Sequence, residues 1–153
     1  MAIGSLYAVA VAAEAHTDAD TLIELTAAAT CVISLERAYI SQSTQDTSEN
    51  LSAKVQRITT TGTGSAFTIA KMSNLAGTVA SSAKTNITVE STYTANTVLV
   101  QQGFNVLNGW LWTPASDDEV ITVPPSGLIG IMLNTVPAAS IDFSYGCVFR
   151  EYG

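Results

Sequence analysis

Charge is what this chain has least of: 12% of its 153 residues are Asp, Glu, Lys or Arg, about half the share usual in soluble domains. With 47% hydrophobic residues and a mean hydropathy of +0.29, it is neither a disordered chain nor a charged helical bundle. Basic residues are scarcer still. Six Lys and Arg against thirteen Asp and Glu leave a net charge of −7, which repels a phosphate backbone and argues against a nucleic-acid partner. One His and two Cys leave few of the residues that acid-base catalysis and metal binding use, so neither a cofactor nor enzymatic activity is expected. No Lys or Arg precedes Arg37. The apolar run Leu6 to Ala13, with Ala13-Glu14-Ala15 resembling a cleavage site, therefore lacks the positive region of a secretory signal. No apolar run reaches the 18 or so residues of a membrane span.

The length fits one domain covering 1–153. Helical periodicity is weak, whereas Thr, Val, Ile, Tyr and Phe recur in short runs bounded by Gly, Pro, Asn, Asp and Ser. This is the all-β pattern. Ten runs stand out, near 5–13, 21–26, 31–41, 52–61, 65–71, 85–93, 97–112, 119–123, 127–134 and 139–150. Eight to ten short antiparallel strands in a chain of this size predict a β-sandwich or jelly roll. The last run is the clearest, with Ile141, Phe143, Tyr145, Cys147 and Phe149 on one face and Asp142, Ser144, Gly146 and Arg150 on the other. Ile87, Val89 and Tyr93 repeat the pattern against Thr88, Glu90 and Thr92. Two runs are apolar on both faces. Phe104, Val106, Trp110 and Trp112 oppose Leu107 and Leu111, while Leu128 and Met132 oppose Ile129, Ile131 and Leu133. A sandwich strand buries one face, so the second needs a cover from its own chain or from a neighbouring subunit.

Between the runs, Thr61-Gly62-Thr63-Gly64 suggests a tight hairpin with positive φ at the glycines, and Pro124-Pro125-Ser126-Gly127 a turn between strands. Residues 42–51 form the most polar loop. Residues 72–84, rich in Ser, Ala and Gly, have room for a short helix. Cys31 and Cys147 read as two buried thiols, and a bridge would need their Cα atoms within about 7 Å. The sequon Asn86-Ile87-Thr88 carries little weight without a secretory signal.

The chemical motifs weigh lightly. His16-Thr17-Asp18-Ala19-Asp20 offers one His where a catalytic zinc takes three protein ligands, so a polar surface turn is expected. Asp117-Asp118-Glu119 lacks EF-hand spacing and reads as an acidic turn. Thr61-Gly62-Thr63-Gly64-Ser65 lacks the Lys and the following helix of a phosphate-binding loop. Gly-x-Ser-x-Gly is absent, and a carboxylate pair for glycoside hydrolysis is not singled out among thirteen acids. Trp110 and Trp112, with Tyr93 and Phe104, suit a core or subunit interface, with a sugar-binding platform as the alternative.

Four stretches together resemble a family of small tailed-phage structural proteins encoded near the head genes: Glu24-Leu25-Thr26-Ala27-Ala28, Val32 to Ala38, Arg57-Ile58 with the Thr59 to Ala66 run, and Val123 to Leu128 followed by the closing strand to Glu151. The likeness spans about 20 to 151. It implies a jelly-roll capsid decoration (cement) protein, usually a homotrimer, bound to the major capsid protein on the outside of the virion and made in the host cytoplasm. No catalytic residues carry over. Cys31, Cys147 and the loop at 42–51 depart from the pattern. On this reading the candidate interface comprises Trp110, Trp112, Phe104, Leu107 and Leu111, with Tyr7, Val9 and Val11 on an N-terminal segment, 2–13. That segment is either an arm that pairs with a neighbour or an edge strand of its own sandwich. The alternative function is a glycan- or receptor-binding jelly-roll module of a phage fibre or spike.

Overall fold

The computed structural model describes residues 4–43 and 48–153. Among these it contains twelve strands: β1 (Ser5–His16), β2 (Thr21–Thr26), β3 (Val32–Gln42), β4 (Asn50–Thr60), β5 (Thr63–Phe67), β6 (Ala70–Lys71), β7 (Ser82–Val89), β8 (Thr92–Asn105), β9 (Trp110–Trp112), β10 (Ile121–Val123), β11 (Leu128–Leu133) and β12 (Ile141–Tyr152). They form two antiparallel sheets. The first runs β10-β3-β12-β1-β6, with β9 also paired to β3, and the second runs β5-β7-β2-β11-β4-β8. Their inner faces share one core. Consecutive strands such as β1 and β2, β3 and β4, and β10 and β11 lie in opposite sheets, which is the double-wound order of a jelly roll.

The alternation in β12 dictates the core. Ile141, Phe143, Tyr145, Cys147 and Phe149 are all 0% exposed, and they meet Tyr7, Val9, Ile33, Leu35 and Ile40 of the same sheet and Leu25, Val55 and Ile129 of the other. Burying an aliphatic or aromatic side chain of this size contributes about 1.5–3 kcal/mol. The Pro124 to Gly127 segment makes the expected turn: Gly127 N–H donates to the Pro124 carbonyl at 2.8 Å, and Ser126 takes φ +61°.

Several expectations change. The count is twelve because 65–71 and 97–112 each break into two strands; the run 85–93 is also divided, between β7 and the start of β8, without adding a strand. Consequently Val89 is exposed rather than part of a buried face with Tyr93. Thr61 to Gly64 is not a hairpin. β5 pairs with β7 at the far side of the sheet from β8, and neither Gly62 nor Gly64 has positive φ. What requires glycine at 62 is proximity, since a Cβ there would lie 2.5 Å from the Val89 carbonyl. Residues 72–81 form turns and coil instead of a helix.

The first strand is no free arm. From Ser5 to His16 it pairs with β12, with a bulge between Val11 and Glu14, and on its other side only Tyr7 and Ala8 are paired, with β6. Ala2 and Ile3, like Thr44 to Thr47 of the polar loop, lie outside the described residues.

Candidate functional site

The doubly apolar strands are resolved in two ways. On β11 the chain covers itself: the outer face is overlaid by Tyr93 and Ile58, so closely that a Cβ at Gly130 would sit 2.7 Å from the Tyr93 Oη. Met132 is 8% exposed. At 104–112 the two faces part company. Phe104 and Trp110 enter the core at 9% and 3% exposure, whereas Leu107 and Leu111 stand out at 58% and 63%. Of the other candidate interface residues, Tyr7 and Val9 are core, Val11 is half-buried against it, and Trp112 is half-buried at its edge. The structure therefore leaves Leu107, Leu111 and part of Trp112 available to a partner, and it places Tyr7, Val9, Phe104 and Trp110 inside.

Trp112 opens onto a groove of about 440 Å³ along the side where β8 ends one sheet and β10 the other. Leu99 and Val100 of β8 form its apolar wall, while Glu119, Thr122 and Arg57 supply its polar groups. Arg57 Nη2 donates to the Thr122 carbonyl at 3.2 Å. A second groove, about 550 Å³, shares Val120 and Thr122 and carries Glu36, Asp117 and Arg150, with Arg150 Nε 3.3 Å from Glu36 Oε1. The acidic stretch Asp117–Glu119 is a single exposed 3-10 turn between these grooves. Glu119 Oε2 accepts the Ala115 N–H at 3.3 Å.

Two buried carboxylates, Glu24 and Glu151, and a buried His16 between two half-buried ones make contacts that were not anticipated. Glu24, 0% exposed on β2, accepts from Gly62 N–H at 2.9 Å and from the Ser91 hydroxyl at 2.8 Å. Its other oxygen is 3.6 Å from Lys84 Nζ, which itself donates to the Gly62 carbonyl at 3.0 Å. This ties the 61–63 and 90–91 segments to the outer face of the sheet. Glu151, 9% exposed, accepts the N–H groups of Ala80 and Ser81 at 3.0 and 2.8 Å and so fastens the end of the 72–81 connection. Around His16 the surface turn that was expected is instead an interior contact. His16 is 7% exposed, with Nδ1 3.0 Å from Asp20 Oδ2 and Nε2 3.8 Å from Glu14 Oε2. The ring packs on Phe143 and Tyr145, and the Tyr145 hydroxyl donates to Glu14. The sequence signal for Glu24 was an acid inside the apolar strand Thr21-Leu22-Ile23-Glu24-Leu25.

These environments suppress reactivity. Burial raises the Tyr145 phenol far above its ordinary value, reinforced by the hydrogen bond to Glu14 and its charge. Burial likewise raises Tyr93, partly offset by its Thr21 hydrogen bond and reinforced by Glu90. The Cys147 thiol, 0% exposed, is pushed up to about 12 by burial, so it is no nucleophile near neutrality. Cys31 and Cys147 are free, buried thiols. Among the described residues no three His, Cys, Asp or Glu side chains converge to hold a metal.

Compared with known proteins, the chain matches no family model, no curated protein and no solved structure.

Proposed function

We propose that this chain is a virion structural protein that decorates or cements a bacteriophage capsid, binding the outside of the assembled major capsid lattice as a homotrimer. The observation that carries this reading is the apolar rim beside the jelly-roll core. Leu107 and Leu111 are more than half exposed, and Trp112 lines the adjoining groove. An apolar patch on a chain of net charge −7 is a contact surface for assembly. A cement protein stabilises a shell by binding its assembled state preferentially. The double-wound sandwich supports the same reading as a rigid carrier, although fold by itself does not decide function.

The test is co-sedimentation with expanded heads followed by electron microscopy of the complex. The expected result is threefold density on the outer surface, lost on Leu107→Asp/Leu111→Asp. A stable monomer with no affinity for heads would overturn the proposal. A second reading, a glycan-binding module, draws on the placement of Trp112 beside Arg57 and Glu119 in one groove. Glycan-array binding abolished by Trp112→Ala, with folding intact, would favour it; Trp110, buried, no longer belongs to that platform.

A further inference from the structure

A β-sandwich has four edge strands, each offering unpaired backbone N–H and C=O groups to any other strand. In this chain three of the four positions are blunted: β5 has five residues, β9 and β10, which share one side of β3, have three each, and the edge of β1, which the two-residue β6 covers only at Tyr7 and Ala8, is broken by the bulge between Val11 and Glu14 and carries the charge of Glu14. The fourth, β8, has fourteen. Natural edges of that length carry Lys, Pro or inward charges, yet Thr92 to Asn105 contains no charged residue and no proline. Its first half is irregular, with Asn96 at φ +58° and register shifts around Leu99. From Val100 to Asn105 the ladder to β4 is unbroken, Val55 to Asn50, so the opposite side of that stretch is a straight, open edge. Val98 and Leu99 beside it are 44% and 39% exposed, and Gln101, Gln102 and Gly103 are exposed.

We infer that this edge is a contact between two copies of the chain, formed by antiparallel pairing of β8 with β8 about a twofold axis near Gln102, which joins the two six-stranded sheets into one. Charge permits a second copy there, and the self-complementary register selects it. Two copies of a chain with net charge −7 repel wherever their acidic surfaces meet, and along Val100 to Asn105 no like charges oppose each other. A twofold at Gln102 sets that residue opposite itself, where the amide serves as both donor and acceptor. It also sets Val100 opposite Phe104, an apolar cross-strand pair made twice, and Gln101 opposite Gly103, where the missing side chain admits close approach. The pairing is isologous and closes at two copies. It is distinct from the threefold association proposed above and does not depend on the capsid reading.

The experiment is light scattering on the full chain and its variants, with circular dichroism confirming folding. The wild type should contain an even number of 16.0 kDa chains, two alone or six where threefold association is also present. Gln102→Lys and Gln102→Glu should each weaken the twofold contact about tenfold or more through like charges set face to face, with Gln102→Ser near wild type. Mixing the Lys and Glu variants should restore a one-to-one pair. A monomer, an odd-numbered assembly, or charge variants that associate like wild type would overturn the inference. Amide exchange on the wild type gives an independent reading: protection within Val100 to Asn105 should rise with protein concentration, and concentration-independent exchange there would refute the pairing. Loss of head binding with the twofold intact would count against the capsid proposal alone.

Discussion

Glu24 offers the sharpest test of how the outer face of the β2 sheet is held. In Glu24→Ala the Gly62 N–H, 2.9 Å from the carboxylate, loses its acceptor, and a buried donor left unpaired costs about 1–3 kcal/mol. The Ser91 hydroxyl loses a charged acceptor at 2.8 Å. Lys84 loses its partner at 3.6 Å, but at 34% exposed it turns to water, so that share is discounted. The sum is about 2–4 kcal/mol, a large part of the about 5–15 kcal/mol typical of whole domains. Glu24→Gln keeps one acceptor and should cost about 1–2 kcal/mol. Urea unfolding followed by tryptophan fluorescence reads this as a shift in midpoint at constant slope. In a double-mutant cycle with Lys84→Met, a coupling of about 1 kcal/mol or less is expected for a partly exposed pair. If Glu24→Ala unfolds within about 0.5 kcal/mol of wild type, the cluster is a bystander and the reasoning fails.

Alkaline pH should unfold the chain. Because burial raises Cys147 from 9.0 to about 12, its stabilising contribution is complete below about pH 9 and is lost as pH rises through about 12; Tyr93 and Tyr145, raised above 10.0, act in the same direction. Melting temperature should therefore fall above about pH 9, and ultraviolet titration should show these two phenols ionising only as structure is lost. All five tyrosines titrating near their ordinary value in a folded chain would contradict it. Ala13 holds φ +51° at the β1 bulge, so Ala13→Gly should raise stability by up to about 1 kcal/mol, read as an increase in melting temperature. Phe149→Ala, at a site 0% exposed between the sheets, should cost about 3–5 kcal/mol, and a loss below about 1 kcal/mol in urea would deny it a core role.

Strand identity was readable wherever alternation was unbroken. β12 was readable residue by residue because Ile141, Phe143, Tyr145, Cys147 and Phe149 face the core, whereas Asp142, Ser144 and Arg150 on the other face are half-buried and Gly146 leaves room for the Tyr39 ring. The reading failed where a run of β-prone residues crossed a bend, as at Asn105 to Gly109, since propensity carries no signal for a break made by tertiary packing. The double-glycine segment misled for a related reason. Glycine serves close approach as well as positive φ, and at Gly62 the neighbour is Val89, distant in sequence. Of the rim, Leu107 and Leu111 were legible from two-sided hydrophobicity, but that pattern could not tell them from Phe104 and Trp110 without knowing which face met the other sheet. Of the carboxylate clusters the sequence marks Glu24 alone, as an acid within an apolar strand, and not the partners, which for Glu24 and Glu151 lie 38 to 71 positions away.

Sheet order also bears on synthesis. β12 follows every other strand in sequence yet lies between β1 and β3, so during synthesis the first sheet stays split until that strand arrives. Until then β1 and β3 expose bare edges and apolar faces to the crowded medium, the condition in which nascent chains seek foreign strands. Zipping β1 to β12 also closes a loop that runs from Ser5 to Glu151. Folding dominated by such distant pairing is slow, on the order of milliseconds to seconds. A chain cut short before Ile141 would thus lack the strand that joins its halves, and only copies carrying β12 would present a competent surface to one another.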